Sequence, residues 1–297
     1  MREIIAQLRA ALAGGASEVT IRVLDPDRGR GLYAGETLEI DGVTHVHRPL
    51  AAWLALAQRL ELRLCTPRPA SPPLVELRFE RLDPGARWHD AAVDDPTEKY
   101  GAGSAFARID KREDPGFVLD LEEALARVAP AAGARVLDLG VNTGDEVELL
   151  LALAPALSEA GVVGVDHSAT ALAVARARFP AARFVEADLA TLAAHDLGRF
   201  DLVVSIGTFQ SPGVDDREVL RRVVQDHLTP EGAVILGMPN CRHVDGEILG
   251  GARVKNLRQP ELGVLVKDVA FYRKYLQQHR RRVFVTGSHY LLITGVV

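Results

Sequence analysis

The sequence predicts an α/β protein: a doubly wound, mostly parallel seven-stranded sheet closing with an antiparallel hairpin, plus a small N-terminal α+β domain. Apolar strands alternate with helical patterns over residues 131–297, as is typical of parallel strands joined by crossovers. A glycine-containing turn follows the first of these strands. The last two strands are separated by Gly287-Ser288, and strands joined so tightly must be antiparallel.

Residues 1–95 predict the small α+β domain. The clearest signal is Asp41-Gly42 between two alternating runs, which favours a hairpin. In order we predict a helix at 2–13, a strand at 18–24, a hairpin at 37–46, a helix at 50–60 and strands at 61–65 and 74–81. Residues 82–104 have the composition of a linker. A role in substrate choice and a role as a stabilising or dimerising appendage both remain open for this domain.

The core, residues 131–297, follows a regular strand–helix order, which predicts right-handed crossovers. Its strands are predicted at 135–139, 162–166, 183–186, 202–205 and 232–237. Helices are predicted at 119–128, 145–154, 169–179, 215–228 and 266–279, before the closing strands at 282–286 and 289–294.

The turn after the first core strand reads Asp138-x-Gly140-x-Asn142-x-Gly144. Its small residues let the backbone approach a nucleotide-like ligand, and the next helix points free N–H groups at the same place. The dinucleotide fingerprint, G-x-G-x-x-G, differs from it. An acid at position 138 would repel a pyrophosphate but suits an ammonium or a sulfonium. Asn at position 142 tolerates a positive φ.

This pattern resembles the class I S-adenosylmethionine-dependent methyltransferases, whose first motif is an acid followed by G-x-G-x-G. The resemblance covers about residues 130–297 and implies S-adenosyl-L-methionine as the cofactor. It implies that Asp166 binds the ribose hydroxyls and that Asp188 lies beside the adenine amino group. The full set of predicted cofactor-binding residues is Asp138, Gly140, Asn142, Gly144, Asp166, His167, Asp188, Leu189, Ser205 and Gly207.

In related enzymes the segment ahead of the first strand often folds over the cofactor. Residues 96–130 are therefore predicted to be a linker and cofactor-covering helical segment. Tyr100, between Lys99 and Gly101, would then lie near the site.

The resemblance implies a substrate side built from the loops at 207–211 and 238–243. The Asn/Asp-Pro-Pro-aromatic motif of nucleic-acid amino methyltransferases is missing after the fourth strand, which counts against methylation of base amines. Asn240, Arg242 and His243 form a polar cluster, and His243 could serve as a base. A loop that merely covers the sheet is the alternative, so the catalytic residues stay open.

Three functions follow from this resemblance. The first is methyl transfer to a small-molecule acceptor. The second is RNA methylation, using the N-terminal domain and the basic segment 241–297, which has 10 basic against 4 acidic residues in a chain of net charge −5. The third is a non-catalytic S-adenosylmethionine-binding protein. The acceptor, its reacting atom and the oligomeric state do not follow from the sequence.

Composition sets further bounds. Cys65 and Cys241 are the two cysteines of the 297 residues, too few for a disulfide framework, and no Cys/His spacing suggests zinc. No metal is therefore predicted. A run of 18 apolar residues is missing, so no membrane span is expected. The N-terminus lacks the apolar region of a signal peptide, and a cytoplasmic location is expected.

Overall fold

The computed structural model describes residues 1–83, 85, 95–211, 213–251 and 264–297. These residues form two compact units. The first contains Met1–Arg87 together with Arg242–Leu249, and the second contains Trp88–Cys241 together with Gly250–Val297. The predicted linker at 82–104 falls partly outside the described residues.

The described residues of the N-terminal region include α-helices and short strands. They are α1 (Arg2–Ala13), β1 (Glu18–Leu24), β2 (Thr37–Ile40), β3 (Val43–Val46), α2 (Leu50–Leu60), β4 (Leu62–Leu64), β5 (Arg68–Pro69) and β6 (Leu74–Arg81). Strand β6 pairs antiparallel with β1, β4 and β5, while β2 and β3 form the predicted hairpin. Leu8, Trp53 and Phe79 are buried in the core of this unit.

The rest of the described chain contributes the helices and strands that follow. They are α3 (Pro115–Val128), β7 (Val136–Leu139), α4 (Asp145–Leu153), β8 (Val162–Asp166), α5 (Ala169–Arg178), β9 (Arg183–Glu186), β10 (Phe200–Ile206), α6 (Asp216–Arg222), β11 (Leu228–Pro239), β12 (Cys241–Val244), β13 (Glu247–Gly250), α7 (Val264–Gln278), β14 (Arg282–Thr286) and β15 (Tyr290–Val296). Of these, β12 and β13 lie almost wholly in the first unit.

The seven-stranded sheet has the order β14-β15-β11-β10-β7-β8-β9. Strands β7 to β11 are parallel, and β15 runs antiparallel to both β11 and β14. This confirms the predicted sheet and its closing hairpin. Alternate strand residues face opposite sides, so Val136 joins a cluster with α3, α4 and α5, while Leu137 joins one with α6 and α7. The sheet is therefore covered by helices on both faces.

Helix α3 begins four residues before its predicted start at 119. Asp114 explains the difference because its Oδ1 accepts hydrogen bonds from the N–H groups of Gly116 (2.9 Å) and Phe117 (3.2 Å). A carboxylate at this position satisfies N–H groups that have no partner in the first helical turn, and Pro115 needs none.

The segment predicted as a substrate-side loop, 238–243, is largely strand. Met238 and Pro239 complete β11, and residues 241–244 form β12, which pairs with β13. The reason is the turn Asp245-Gly246, which has φ values of 49° and 79°, because Asp-Gly with positive φ at both positions makes a two-residue hairpin. Residues 242–249 belong to the first unit, whereas the predicted bounds place them in the core; those bounds stay predictions.

Candidate cofactor site at the carboxyl edge of the sheet

The turn after β7 has the backbone that the glycine pattern predicts. Gly140, Asn142 and Gly144 have φ values of 79°, 47° and 88°. A Cβ atom at Gly140 would lie 2.0 Å from the Thr208 hydroxyl oxygen, and one at Gly144 would lie 2.7 Å from the Phe179 ring. Both glycines are thus required by backbone conformation and by close packing.

Asp138, the residue before the last of β7, lies inside the protein with 1% of its surface exposed. Its Oδ2 has no hydrogen-bond partner among the described residues. Burial raises the pKa of this carboxyl well above its usual range; Glu146 raises it further and Lys111 opposes the shift. A buried carboxylate without a partner is costly, and Asp138 is therefore suited to a cationic ligand.

Glu146 and Lys111 form a buried ion pair next to Asp138. Burial, the largest single influence, lowers the pKa of Lys111, but Glu146, Tyr290 and Asp138 together leave that pKa above its ordinary value. Two buried carboxyl groups thus share one ammonium. If all three are ionised, the cluster carries one negative charge in excess, which a bound cation would balance.

Asp166, at the end of β8, already organises the turn. One of its oxygens accepts the N–H of Asn142 and the other accepts the N–H of Ser168, each at 2.9 Å. An ionised carboxylate has about four acceptor positions, so Asp166 can accept further bonds from two hydroxyl groups. His167 beside it is exposed.

Asp188 follows β9 and is exposed. Its Oδ1 accepts the N–H of Ala190 at 2.8 Å, which caps a short helical turn, and Leu189 is buried under that turn. Since β7, β8 and β9 are parallel neighbours in the sheet, Asp138, Asp166 and Asp188 lie along one edge.

Ser205 and Gly207 lie at the carboxyl end of β10. The Ser205 hydroxyl is buried and donates to the carbonyl of Leu139 at 3.0 Å, so it ties β10 to β7. The N–H of Gly207 donates to the carbonyl of Gly237 at 2.7 Å. A Cβ atom at Gly207 would meet no atom within 4 Å, which leaves space beside the turn.

The segment 95–114 is bonded to this edge at several points. The Asn142 side chain donates to the carbonyl of Tyr100 at 2.6 Å. The Ser168 hydroxyl donates to Glu98 Oε2 at 2.9 Å, and the Thr170 hydroxyl also donates to Glu98. Sequence reasoning placed Tyr100 near the site but missed Glu98, Lys111 and Glu146, whose roles depend on contacts between distant parts of the chain.

The three weak catalytic candidates are divided between the two units. Asn240, in the second unit, donates its side-chain N–H to the carbonyl of Ser288 at 2.8 Å. Arg242 lies in the first unit, where it forms an ion pair with Glu61 at 2.7 Å. His243 lies in the same hairpin, half-buried. Their predicted roles in chemistry stay predictions.

A second group of titratable residues lies at the end of β11. His289 Nδ1 is 4.0 Å from Asp114 Oδ2. Burial, reinforced by Asp114, raises the pKa of Cys241 to about 11. Burial also raises the pKa of Tyr290, against the influence of Lys111. No local motif marks Asp114, His289 or Tyr290, so they are not among the site residues predicted from the sequence.

Within the described ranges, no group of three or more His, Cys, Asp or Glu residues is arranged to hold a metal ion. None of the described helices is long and apolar enough to cross a membrane.

The model of a family described as a methyltransferase domain matches residues 136–232. This segment begins with β7 and includes the turn, Asp166, Asp188 and β10. With the sheet order, this match confirms the predicted resemblance to class I S-adenosylmethionine-dependent methyltransferases.

Among curated proteins, the chain is similar to trans-aconitate 2-methyltransferases. It is 40% identical to that of Variovorax paradoxus over 121 residues, covering 41% of this chain and 44% of the relative. It is 30% identical to that of Rhodopseudomonas palustris over 158 residues, covering 52% of each. The chain thus matches about half of the length of these relatives or less.

Two solved structures show weaker likeness. A chain of the complex between the Haloferax volcanii Trm112 methyltransferase activator and a methyltransferase has a TM-score of 0.47 at 18% identity, covering 69% of this chain and 99% of that chain. An S-adenosylmethionine-dependent methyltransferase from Mesorhizobium loti has a TM-score of 0.41 at 21% identity, covering 59% and 96%. Because both TM-scores lie below 0.5, the assignment of the fold depends on the observed order of strands in the sheet.

Proposed function

We propose that this protein is an S-adenosylmethionine-dependent methyltransferase that acts on a small-molecule acceptor. The observation that carries the proposal is the buried, unpartnered Asp138 oxygen at the glycine turn. S-adenosylmethionine carries both an ammonium and a sulfonium, and two buried carboxyl groups beside one ammonium suit such a ligand. The matched methyltransferase domain and the names of the similar proteins support the same conclusion.

Different residues would bind different parts of the cofactor. Asp138 and the turn Gly140–Gly144 would hold the methionine part, Asp166 the ribose and Asp188 with Leu189 the adenine. His167, Ser205 and Gly207 would line the site. Glu98 and Tyr100 would hold the segment 95–114 over the turn through Ser168, Thr170 and Asn142. This covering role for residues 96–130, and the separate domain at 1–95, are parts of the proposal.

When bound, the cofactor supplies a methyl group on a positively charged sulfur. The protein holds the acceptor close and in line and keeps water away, and such positioning alone can supply about 7–11 kcal/mol of the barrier. A cytoplasmic location also stays a proposal.

The test is methyl transfer from S-adenosylmethionine labelled in its methyl group. Acceptors would be trans-aconitate, a panel of small hydroxyl and amine compounds, and total tRNA. We expect label in a small molecule. Label in tRNA, with affinity that falls steeply as salt rises, would instead indicate RNA methylation. Tight cofactor binding without transfer to any acceptor would indicate a non-catalytic binding protein.

A further inference from the structure

The sheet order fixes the side on which an acceptor would lie. The residues matched to adenine, ribose and methionine follow β9, β8 and β7, and the sheet continues beyond β7 with β10, β11 and β15. The reactive end would therefore point towards β10 and β11. Strand β15 is antiparallel to β11 and begins at this edge, since Tyr290 is paired with Pro239.

His289, immediately before β15, faces a carboxylate at this edge. Asp114 uses Oδ1 to cap α3, and its Oδ2 lies 4.0 Å from His289 Nδ1. The His289 side chain is 35% exposed, so it is accessible to a small molecule. Hydrogen bonds of catalytic groups are often long before substrate binds, which makes this separation compatible with a His–Asp pair.

Asn240, directly after β11, holds the turn that carries His289. The Asn240 N–H donates to the carbonyl of His289 at 2.6 Å, and its side chain donates to the carbonyl of Ser288 at 2.8 Å. At Gly287 φ is 97°, and a Cβ atom there would lie 2.0 Å from the carbonyl oxygen of Tyr290. The backbone at His289 is thus constrained on both sides.

The neighbouring titratable groups are poor bases. The pKa of Cys241 is raised to about 11 by burial and by Asp114. The pKa of Tyr290 is raised by burial, with Cys241, Glu146 and Asp114 adding to the shift and Lys111 opposing it. Both therefore keep their protons near neutral pH. Imidazole, in contrast, exchanges a proton near neutral pH.

We propose that His289 is the general base of the methyl transfer, with Asp114 and Asn240 as positioning residues. This inference rests on the proposed function. A lone pair of the acceptor's O–H or N–H atom forms a bond to the methyl carbon as the sulfur–carbon bond breaks and its electron pair stays on sulfur. His289 Nε2 takes the acceptor's proton, and Asp114 faces the resulting imidazolium.

The test compares two classes of acceptor in His289→Gln. Catechol carries a proton on the reacting oxygen, whereas the carboxylates of trans-aconitate carry none at neutral pH. We expect single-turnover methylation of the first class to fall by about 10²–10⁴-fold, with unchanged methylation of trans-aconitate and unchanged binding of S-adenosylhomocysteine. His279→Gln, at the opposite edge of the sheet, is the matched control.

Two further variants separate base chemistry from structure. Asp114→Asn keeps a residue that caps helices well but removes the charge. We expect it to slow the methylation only of acceptors that carry a proton on the reacting atom. Added imidazole should restore part of the rate in His289→Ala. The proposal is overturned if His289→Gln keeps its rate with catechol, if it loses activity towards catechol and trans-aconitate equally, or if the unaltered protein methylates trans-aconitate alone. If the unaltered protein methylates nothing, the proposed function itself fails.

Discussion

At the scale of single residues, Asp138 shows how function and stability oppose each other. In the unfolded chain this carboxyl has its ordinary pKa, whereas burial and Glu146 raise its pKa in the folded protein. Between those two values the folded state binds more protons than the unfolded state. The free energy of unfolding therefore falls as pH rises through that window.

Asp138→Asn removes this titration while keeping the shape of the side chain. We expect its free energy of unfolding at neutral pH to exceed that of the unaltered protein, because burial and Glu146 raise the pKa of the Asp138 carboxyl in the folded state. The gain should vanish below the ordinary pKa of aspartate. Urea denaturation at several pH values measures it, and an unchanged stability at all pH values would contradict the account.

The same substitution should weaken the binding of the cofactor. A hydrogen bond to a charged group contributes about 1.5–3 kcal/mol, so we expect S-adenosylmethionine to bind roughly 10- to 150-fold more weakly to Asp138→Asn. 5′-Methylthioadenosine lacks the amino-acid part and should bind both proteins equally. Equal losses for the two ligands would show that Asp138 does not act on the ammonium.

At the scale of elements, Asn142 joins the glycine turn to the covering segment. A glycine would serve the backbone at φ 47°, yet the Asn142 amide also binds the carbonyl of Tyr100. The sequence predicts that Asn142 tolerates the turn, because that property is local. It does not predict the second contact, which depends on how residues 95–114 fold back.

We expect Asn142→Gly to loosen the covering segment without disrupting the turn. The N–H of Ala102 donates to the Thr170 hydroxyl at 3.1 Å, so its hydrogen exchange reports on this segment. It should exchange faster in Asn142→Gly, whereas Arg280→Gly, which also replaces a residue with positive φ, should leave it unchanged. Unchanged exchange at Ala102 in both variants would show that Asn142 does not hold the segment.

The β12–β13 hairpin was not predicted from the sequence for a different reason. Asp245-Gly246 carries the same hairpin signal as Asp41-Gly42, but no hairpin was predicted there, and the neighbouring residues 238–243 were predicted to be a substrate-side loop. The strands of the core were predictable because they are apolar and separated by clear turns. The proximity of Asp114 and His289 was not predictable, because 175 positions separate them in the chain. They come together through the arrangement of β11, β15 and α3.

At the scale of the whole molecule, the first unit includes a hairpin from a distant part of the chain. Leu249 and Val244 pack on Leu82, all three nearly fully buried. Arg63 also forms ion pairs with Glu247 and Asp245. Residues 242–249 are thus part of the core of the N-terminal unit.

We expect Leu249→Ala to destabilise that unit by about 2–5 kcal/mol, the usual cost of the cavity left in a core. Hydrogen exchange of the β1 and β6 amides in the full protein measures the effect. Leu54→Ala, on the same unit but 45% exposed, should change it by less than about 0.5 kcal/mol. Equal effects of the two substitutions would contradict the role given to the hairpin.

The central claim is that the carboxyl edge of the sheet binds S-adenosylmethionine, and calorimetric titration tests it most directly. The purified protein would be titrated with S-adenosylmethionine, S-adenosylhomocysteine and NAD. We expect micromolar binding of the two adenosyl ligands and no binding of NAD, because Asp138 suits an ammonium and opposes a pyrophosphate. Absence of adenosyl binding, or binding of NAD in its place, would contradict it.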